Sequence, residues 1–357
     1  MSKRPPQSPR GRGARSNPNN RYADHGHELI DDGWGSLDQE APPLRTTLTK
    51  DTSRTVISYN QSPDVGFDRS INPYRGCEHG CVYCFARPTH AYLGLSPGLD
   101  FESRLFYKPD AAELLRKELT ARSYHCAPIA VGINTDAYQP VERHLGITRS
   151  VLEVLYESNH PFTLVTKSSL VERDMDILAE MAKKRLVHVM VSVTTLRHDL
   201  ARTMEPRATA PARRLQTIQR LREAGIPVGV LVAPLIPVLT DSELETVLMR
   251  SREAGASTAG YVLLRLPLEV KALFREWLAE HEPTKAEHVM QRIRDSRGGK
   301  DYDAEFGTRM LGTGIFAELI AQRFRVAHKR LEYGEGQPLE TRLFHAPHRD
   351  RTQLELF

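Results

Sequence analysis

The sequence has few cysteines, no long apolar run and no secretory signal, and each absence excludes a class of protein. Four cysteines occur among 357 residues, too few for the disulfide framework of a small secreted domain. No run of about 18 apolar residues is present, so no membrane-spanning helix is expected. The basic N-terminus has no apolar stretch behind it, unlike a secretory signal. These absences favour a reducing cytoplasm.

Acidic residues are missing from positions 1–22, and this absence divides the chain by charge. The segment contains six basic residues and has a net charge of +6; because the whole chain is +4, the remainder is −2. The body is therefore not a basic nucleic-acid binder by charge alone. The leader can contact phosphates without reading their sequence, or it can be a solvated, disordered tail.

Composition predicts four regions along the chain. Residues 1–50 form a mostly disordered basic leader rich in Pro, Gly, Asn and Arg, with some extended structure packing near its end, and residues 51–270 form the core. Residues 271–342 form a helical C-terminal extension, and residues 343–357 form a tail. The hydrophobic content of 40% is enough for one large core.

Within the predicted core, short apolar runs rich in β-branched residues alternate with amphipathic helices. Such runs suit parallel strands covered on both faces, and the alternation implies right-handed strand–helix–strand crossovers. About six units are present, fewer than the eight of a complete barrel. The expected strands are 70–72, 129–134, 162–166, 187–194, 228–233 and 260–264.

Helix starts are marked by capping-box spacing, in which the first side chain is expected to bond to a backbone N–H three residues later. We expect helices to begin at three such pairs: Asp110 with Glu113, Ser169 with Glu172, and Thr240 with Glu243. 

Three cysteines, Cys77, Cys81 and Cys84, lie within eight residues in a C-x3-C-x2-C arrangement. Thiolates bind iron–sulfur clusters, which usually take four cysteines. Three cysteines can hold three irons of a cubane and leave one iron open for chemistry. The alternative from spacing alone is a zinc site with His79 or His90 as the fourth ligand. Such a site would suit a zinc-stabilised nucleic-acid-binding protein without catalysis.

The cysteine spacing, with Tyr83 before the third cysteine, resembles the signature of the radical S-adenosylmethionine superfamily. The resemblance implies that Cys77, Cys81 and Cys84 hold a [4Fe–4S] cluster whose open iron binds S-adenosylmethionine. An external one-electron reductant of the flavodoxin or ferredoxin type would supply the electron for cleavage. The resulting 5′-deoxyadenosyl radical would abstract hydrogen from a substrate. The implied fold is a partial (β/α)6 barrel, in agreement with the strand count.

Further segments resemble the spore photoproduct lyase-like branch: residues 134–142, Lys167 in LVTKSS, Ser192 in MVSVTT and the PLIP turn at 234–237. The resemblance implies that S-adenosylmethionine contacts four residues and that Tyr83 lies near its adenine. Each of the four follows or ends a predicted strand, where barrel enzymes place their chemistry. The four are Thr135, Asp136, Lys167 and Ser192.

Structural roles remain open alternatives for these polar residues. Asp136 would then cap a loop, Lys167 would be solvated, and Ser192 would be a small core residue. Glu205 and Arg207, which follow the fourth predicted strand, are interpreted as an exposed ion pair in preference to ligand contacts.

One position departs from the pattern of spore photoproduct lyase. Asn134 stands where that enzyme has a cysteine that returns a hydrogen atom to the product radical, so activity on the same lesion is not expected. Cys126 is predicted to be a buried structural thiol. The substrate is not encoded in the motifs.

The chain ends with Gln353-Leu-Glu-Leu-Phe357, which resembles the pentapeptide that docks bacterial repair and replication proteins on the DNA sliding clamp. The alternative is that these residues fold back on the domain. With the basic leader, the peptide suggests a substrate or partner at DNA, for instance in repair. Radical modification of RNA or protein is the second enzymatic alternative.

Overall fold

The protein is described by a computed structural model over residues 11–22 and 44–347. Ten strands lie in this part of the chain. They are β1 Thr47–Lys50, β2 Ile57–Tyr59, β3 Arg69–Ile71, β4 Tyr74–Arg75, β5 Arg104–Tyr107, β6 Ile129–Val131, β7 Phe162–Thr166, β8 Val187–Ser192, β9 Val228–Leu235 and β10 Thr258–Leu263.

The main sheet of the described residues has seven strands in the order β10-β9-β8-β7-β6-β3-β2. The neighbours from β3 to β10 are all parallel, while β2 is antiparallel to β3. Parallel neighbours require crossover connections, so the carboxyl ends of the six strands lie at one edge of the sheet. The α/β fold with a partial set of six parallel strands is confirmed. A smaller sheet has the order β1-β5-β4.

Helices cover the sheet and form the C-terminal part of the described chain, as predicted. Helix α4 shows why: its apolar residues recur at helical spacing, and Val151, Leu152 and Leu155 are fully buried. The helices are α1 Leu99–Ser103, α2 Ala111–Leu119, α3 Glu142–Leu145, α4 Ile147–Glu157, α5 Met175–Lys183, α6 His198–Met204, α7 Pro211–Glu223, α8 Leu244–Glu253, α9 Val270–His281, α10 Ala286–Asp295 and α11 Gly314–Arg330.

The predicted strand at 129–134 is shorter than expected. It ends at Val131 because the next residues turn across the edge of the sheet and bond to the neighbouring chain segment. Gly132 N donates to Ile71 O at 3.0 Å, and Asn134 N donates to the side chain of Asn72 at 2.9 Å. This turn brings the residues after β6 against the segment that leads to the cysteines.

The capping boxes are wrong in detail, although helical structure begins at each predicted place. Ser168, not Ser169, caps a 3-10 turn, its Oγ accepting from Leu170 N at 3.2 Å. Neither Asp110 nor Thr240 makes a side-chain cap hydrogen bond. Side chains in these boxes have tertiary partners instead; Asp110, for example, pairs with Lys50 at 3.0 Å. The Thr240 hydroxyl bonds instead to the preceding turn, accepting from Ile236 N at 2.8 Å. The local spacing thus predicts where the turns lie but not the partners of their side chains.

Residues 11–22 differ from the disordered leader expected for residues 1–50. Gly13 and Ala14 are buried, and Ala14 is only 1% exposed. This segment, called the strap below, lies against the loop that contains the cysteines. The rest of the leader up to residue 43 lies outside the described residues.

After α11, the chain packs back on the body without forming a described helix or strand. Phe344 contacts the rings of Tyr124 and His160, with centroids 5.7 and 5.2 Å away. The predicted docking peptide Gln353–Phe357 lies outside the described residues. No helix in the described part of the chain is long and apolar enough to cross a membrane.

Candidate functional site

The three clustered cysteines lie in a loop that follows β4, here called the cysteine loop (residues 76–87). All three are free thiols; Cys77 and Cys81 are buried, and Cys84 is half-buried. Burial raises the pKa of Cys81 to about 12, with the charge of Glu205 adding to the shift. Burial also raises the pKa of Cys77, and Asp136 and the other two cysteines add to this shift. The thiols therefore share one enclosed site, where a cationic group would stabilise their thiolates.

A buried ion pair holds the backbone of the cysteine loop in place. Arg87 is fully buried, pairs with Glu102 and donates to Cys81 O at 2.9 Å and to Gly80 O at 3.2 Å. Because the guanidinium bridges a carboxylate and two loop carbonyls, it fixes the loop backbone between two of the cysteines. Gly80 has a φ of +68°, a conformation that L side chains rarely adopt.

The strap binds to the same carboxylate. Glu102 accepts hydrogen bonds from Gly13 N at 3.0 Å and Ala14 N at 2.8 Å. A Cβ on Gly13 would lie 1.8 Å from Gly80 O, so the two backbones are in closer contact than any side chain allows. This contact rests on backbone hydrogen bonds, which leave no apolar pattern in the sequence and so could not be predicted from it.

Two of the predicted ligand contacts, Thr135 and Asp136, join the turn after β6 to the cysteine loop. Thr135 Oγ1 donates to Tyr74 O at 2.8 Å. Asp136 accepts from Lys167 N at 2.7 Å and lies 3.4 Å from the His79 ring. Burial acts to raise the Asp136 pKa, but His79 and the hydrogen bonds lower it below its ordinary value. Asp136 thus stabilises two loops at once as an ionised carboxylate.

Lys167 and Ser192, the next two predicted contacts, meet at the carboxyl ends of β7 and β8. Lys167 Nζ donates to Ser192 Oγ at 2.7 Å, to Thr194 Oγ1 at 3.1 Å and to Ala233 O at 3.0 Å. The ammonium also lies 3.2 Å from Glu205 Oε1. The solvated alternative for Lys167 is therefore wrong: its charge points into the site.

Glu205 is the centre of this polar group, and the expected exposed ion pair with Arg207 is wrong. Glu205 is 2% exposed, pairs with Arg214, and accepts hydrogen bonds from Tyr83 and, at 2.7 Å, from Thr194. Burial opposes ionisation, yet the charges of Arg214 and Lys167 hold the Glu205 pKa well below its usual range. Arg207 instead pairs with Glu78 at 2.9 Å.

Tyr83 connects this buried group to the cysteine loop. Its hydroxyl bonds to Glu205, and its ring lies 5.7 Å from Lys167 Nζ. The structure thus brings all five predicted cofactor contacts and the three cysteines to one edge of the sheet. Arg214, whose charge balances that of Glu205, comes from the first turn of α7, and no sequence motif marks it.

The histidines of the zinc alternative have other partners. His79 faces Asp136, and His90 Nε2 bonds to Arg104 O at 3.0 Å. Burial lowers the pKa of His90 to about 4. Within residues 11–22 and 44–347, no group of three or more His, Cys, Asp or Glu side chains is gathered around the position of a single metal ion. Cys126, predicted to be buried, is a half-buried free thiol.

The sequence matches a known family over the part that builds this site. Residues 71–250 match the profile of the Radical SAM superfamily. An uncharacterised protein of Mycobacterium tuberculosis is 38% identical over 61% of this chain and 64% of its own length. An uncharacterised protein of Methanocaldococcus jannaschii is 24% identical over 64% of this chain and 81% of its own. The chain thus spans just under two thirds of the mycobacterial relative.

The fold is similar to that of solved spore photoproduct lyases. One, complexed with dinucleoside spore photoproduct, superposes with a TM-score of 0.57 at 15% identity, over 80% of this chain and 79% of that chain. Another, with bound AdoMet and the same dinucleoside, gives a TM-score of 0.57 at 14% identity. At these identities the likeness concerns the fold.

Proposed function

The chain belongs to the Radical SAM superfamily, and from this membership we propose that it is an enzyme that holds a [4Fe–4S] cluster on Cys77, Cys81 and Cys84 and binds S-adenosylmethionine beside it. The observation that carries the proposal is the enclosure of three free thiols in one loop at the carboxyl edge of the sheet. Thiolates are the donors that iron–sulfur clusters take, so the donor set fits the group.

When bound, the cluster and S-adenosylmethionine supply a one-electron cleavage that generates a 5′-deoxyadenosyl radical for hydrogen abstraction. The residues of the protein position these groups and balance the charge around them. Arg87 and Glu102 fix the cysteine loop, and Asp136 joins it to the end of β7. Glu205 orients Tyr83 and Lys167, which are the proposed contacts of S-adenosylmethionine together with Thr135, Asp136 and Ser192.

The substrate and partners are part of the proposal. A nucleic-acid substrate, for instance a DNA lesion in repair, is supported by the clamp-like peptide Gln353–Phe357 and by the basic residues at positions 1–10. In the strap, Arg15 and Arg21 pair instead with Glu280 and Glu269 of the body. Asn134, where the lyase pattern has a cysteine, argues for a different reaction from cleavage of the spore photoproduct. A cytoplasmic location and a flavodoxin- or ferredoxin-type reductant complete the proposal. Modification of RNA or protein remains the second candidate.

Anaerobic reconstitution with iron and sulfide tests the cluster directly. The wild type should bind about four irons, turn brown and, after reduction by dithionite, release 5′-deoxyadenosine from S-adenosylmethionine. The C81A variant should lose both properties, whereas C126A, which removes the one cysteine outside the loop, should keep the iron. A colourless protein with stoichiometric zinc would overturn the proposal in favour of the zinc-binding alternative.

The clamp proposal has its own test. Deleting Leu356 and Phe357 should abolish binding of the full chain to purified bacterial sliding clamp, measured by surface plasmon resonance, because the two apolar side chains would fill the cleft. Binding that survives the deletion contradicts the proposal.

A further inference from the structure

An arginine at the edge of the cysteine loop has no acidic partner in the described structure. Arg265 follows β10 at the carboxyl edge of the sheet, and its guanidinium lies 5.4 Å from the centroid of the Phe85 ring. Phe85 directly follows Cys84 and is 41% exposed. Arg265 is therefore separated from the cysteine loop by one aromatic ring that solvent can reach.

Arg265 differs from the other arginines around this edge. Its Nη atoms contact only weak or neutral acceptors among the described residues, Met310 Sδ and the Tyr302 hydroxyl, each at 3.4 Å. Its Nε is buried and has no hydrogen-bond partner there. By contrast, four other arginines around the site pair with a carboxylate: Arg87 with Glu102, Arg207 with Glu78, Arg214 with Glu205 and Arg309 with Asp64.

A second buried cation lies next to Arg265. Arg297 is 4% exposed and donates to backbone oxygens, Leu264 O at 3.0 Å and Thr308 O at 3.0 Å. Burial and the positive charge of Arg265 lower the Arg297 pKa, while Asp303 and Tyr302 act in the opposite direction. Neither guanidinium is hydrogen-bonded to a carboxylate of the described residues. Two adjacent cations held in this way are costly to keep partly buried, and the charge of Asp303 offsets only part of that cost. A bound anion would offset that cost.

We propose that Arg265 and Phe85 form a subsite for a phosphate group of the substrate, carried by a nucleotide or by a single nucleic-acid strand. This inference rests on the proposed function, because it takes the cysteine loop to be the active centre. The two Nη atoms of a guanidinium can bind a phosphate with two parallel hydrogen bonds, and those of Arg265 have only weak or neutral partners to exchange. The exposed ring beside it offers a face on which a base can stack.

The test is binding of a fluorescein-labelled oligothymidylate of about 12 nucleotides to the iron-reconstituted full chain, followed by anisotropy. The R265Q variant should bind about ten-fold more weakly or worse, as expected when a hydrogen bond to a charged group is lost. The plot of log affinity against log salt concentration should also become less steep by about 0.7, the contribution of one phosphate contact on a single strand. R265K should show the wild-type salt dependence but a lower affinity, because a lysine keeps the positive charge without the two parallel N–H donors of the guanidinium.

A matched control removes the same charge elsewhere. Arg325 is exposed on α11, and R325Q should bind as the wild type does. Thymidine monophosphate that displaces the oligomer from wild type assigns the subsite to a free nucleotide, and its failure to compete assigns the subsite to a strand. Wild-type affinity in both R265Q and R265K, or displacement by polyglutamate as effective as by unlabelled oligomer, would overturn the proposal.

Failure of the proposed function and failure of the phosphate subsite give different results. If the protein binds no iron, the proposed function fails. If the wild type binds iron and oligomer but the Arg265 variants bind the oligomer equally well, only the phosphate subsite fails. Iron content and thermal unfolding of R265Q and R265K, measured alongside, identify a variant that is merely misfolded.

Discussion

At the scale of single residues, the site depends on a carboxylate that the fold keeps ionised in its interior. Glu205 is balanced by two cations, Arg214 and Lys167, and is hydrogen-bonded by Tyr83 and Thr194. Buried ion pairs of this kind contribute little net stability but are costly to break. Their value here is positional, since the same carboxylate holds one side chain of the cysteine loop and one from the end of β7.

The variant E205Q should therefore destabilise the protein, because it leaves Arg214 and Lys167 buried without a counter-charge. We expect the free energy of unfolding to fall by about 3–5 kcal/mol, measured by chemical denaturation. E253Q is the control, since Glu253 is exposed and lies 3.4 Å from Arg250. Its effect should stay below about 1 kcal/mol. Equal effects of the two variants would contradict this account.

A second residue-scale prediction concerns pH. Burial lowers the pKa of His160 to about 4, and its ring is satisfied as a neutral group by Pro161 O and the Tyr124 hydroxyl. A folded-state pKa below the unfolded value means that stability is fully present above about pH 6.5 and is lost as pH falls toward 4.

The free energy of unfolding should consequently fall by up to about 1.4 kcal/mol per pH unit for each such histidine in that window. Urea titrations at successive pH values measure the slope of the unfolding free energy against pH. H160Q should reduce this slope by the amount that corresponds to the uptake of about one proton on unfolding. A variant whose slope matches that of the wild type would show that the imidazole is not the group responsible.

At the scale of elements, the strap is part of the wall of the cysteine site. Its backbone donates to Glu102, Ser16 O accepts from Leu99 N at 3.2 Å, and Pro18 O accepts from Ser96 Oγ at 2.7 Å. These are bonds to main-chain atoms, so residues with little apolar character can bind tightly to the body. The element is therefore invisible to hydrophobic periodicity.

The variant G13A should displace the strap, because its Cβ would lie 1.8 Å from Gly80 O. Gly80 O is a backbone atom and cannot move aside as the end of a flexible side chain could. We expect faster alkylation of the loop cysteines by iodoacetamide in the apoprotein and lower iron retention after reconstitution. G66A is the matched control, since nothing lies within 4 Å of its added Cβ. Alkylation rates that are equal in both variants would mean that the strap does not shield the loop.

At the scale of the whole molecule, the C-terminal helices and the cysteine loop share one hydrophobic cluster. Cys81, Val82 and Tyr83 belong to the same cluster as Trp277 of α9 and Ile293 of α10. The helical extension and the cysteine loop therefore share one buried core, and we expect them to unfold together.

The variant W277A should reduce the stability of the whole molecule, since Trp277 is fully buried and its Nε1 donates to Thr203 O at 3.1 Å. Truncation of a buried aromatic side chain costs about 3–5 kcal/mol. Thermal unfolding followed by calorimetry should shift to lower temperature as a single transition. Two separate transitions would show that the extension unfolds independently of the sheet.

The sequence alone was sufficient for the features that have a local pattern. The six parallel strands follow from continuous apolar runs, and the cysteine spacing points to the family whose profile matches residues 71–250. The carboxyl ends of parallel strands must meet at one edge, which is why Thr135, Asp136, Lys167 and Ser192 come together as their positions predict.

Other features were decided only by tertiary structure, because their partners are distant in sequence. The charge balance of Glu205 depends on Arg214 in a helix, and the strap depends on a backbone contact between Gly13 and Gly80. That Arg265 Nε has no hydrogen-bond partner among the described residues is equally a property of three-dimensional packing. Periodicity reports which face of an element is buried, whereas the pairing of buried charges and the approach of two backbones are set only when the elements pack.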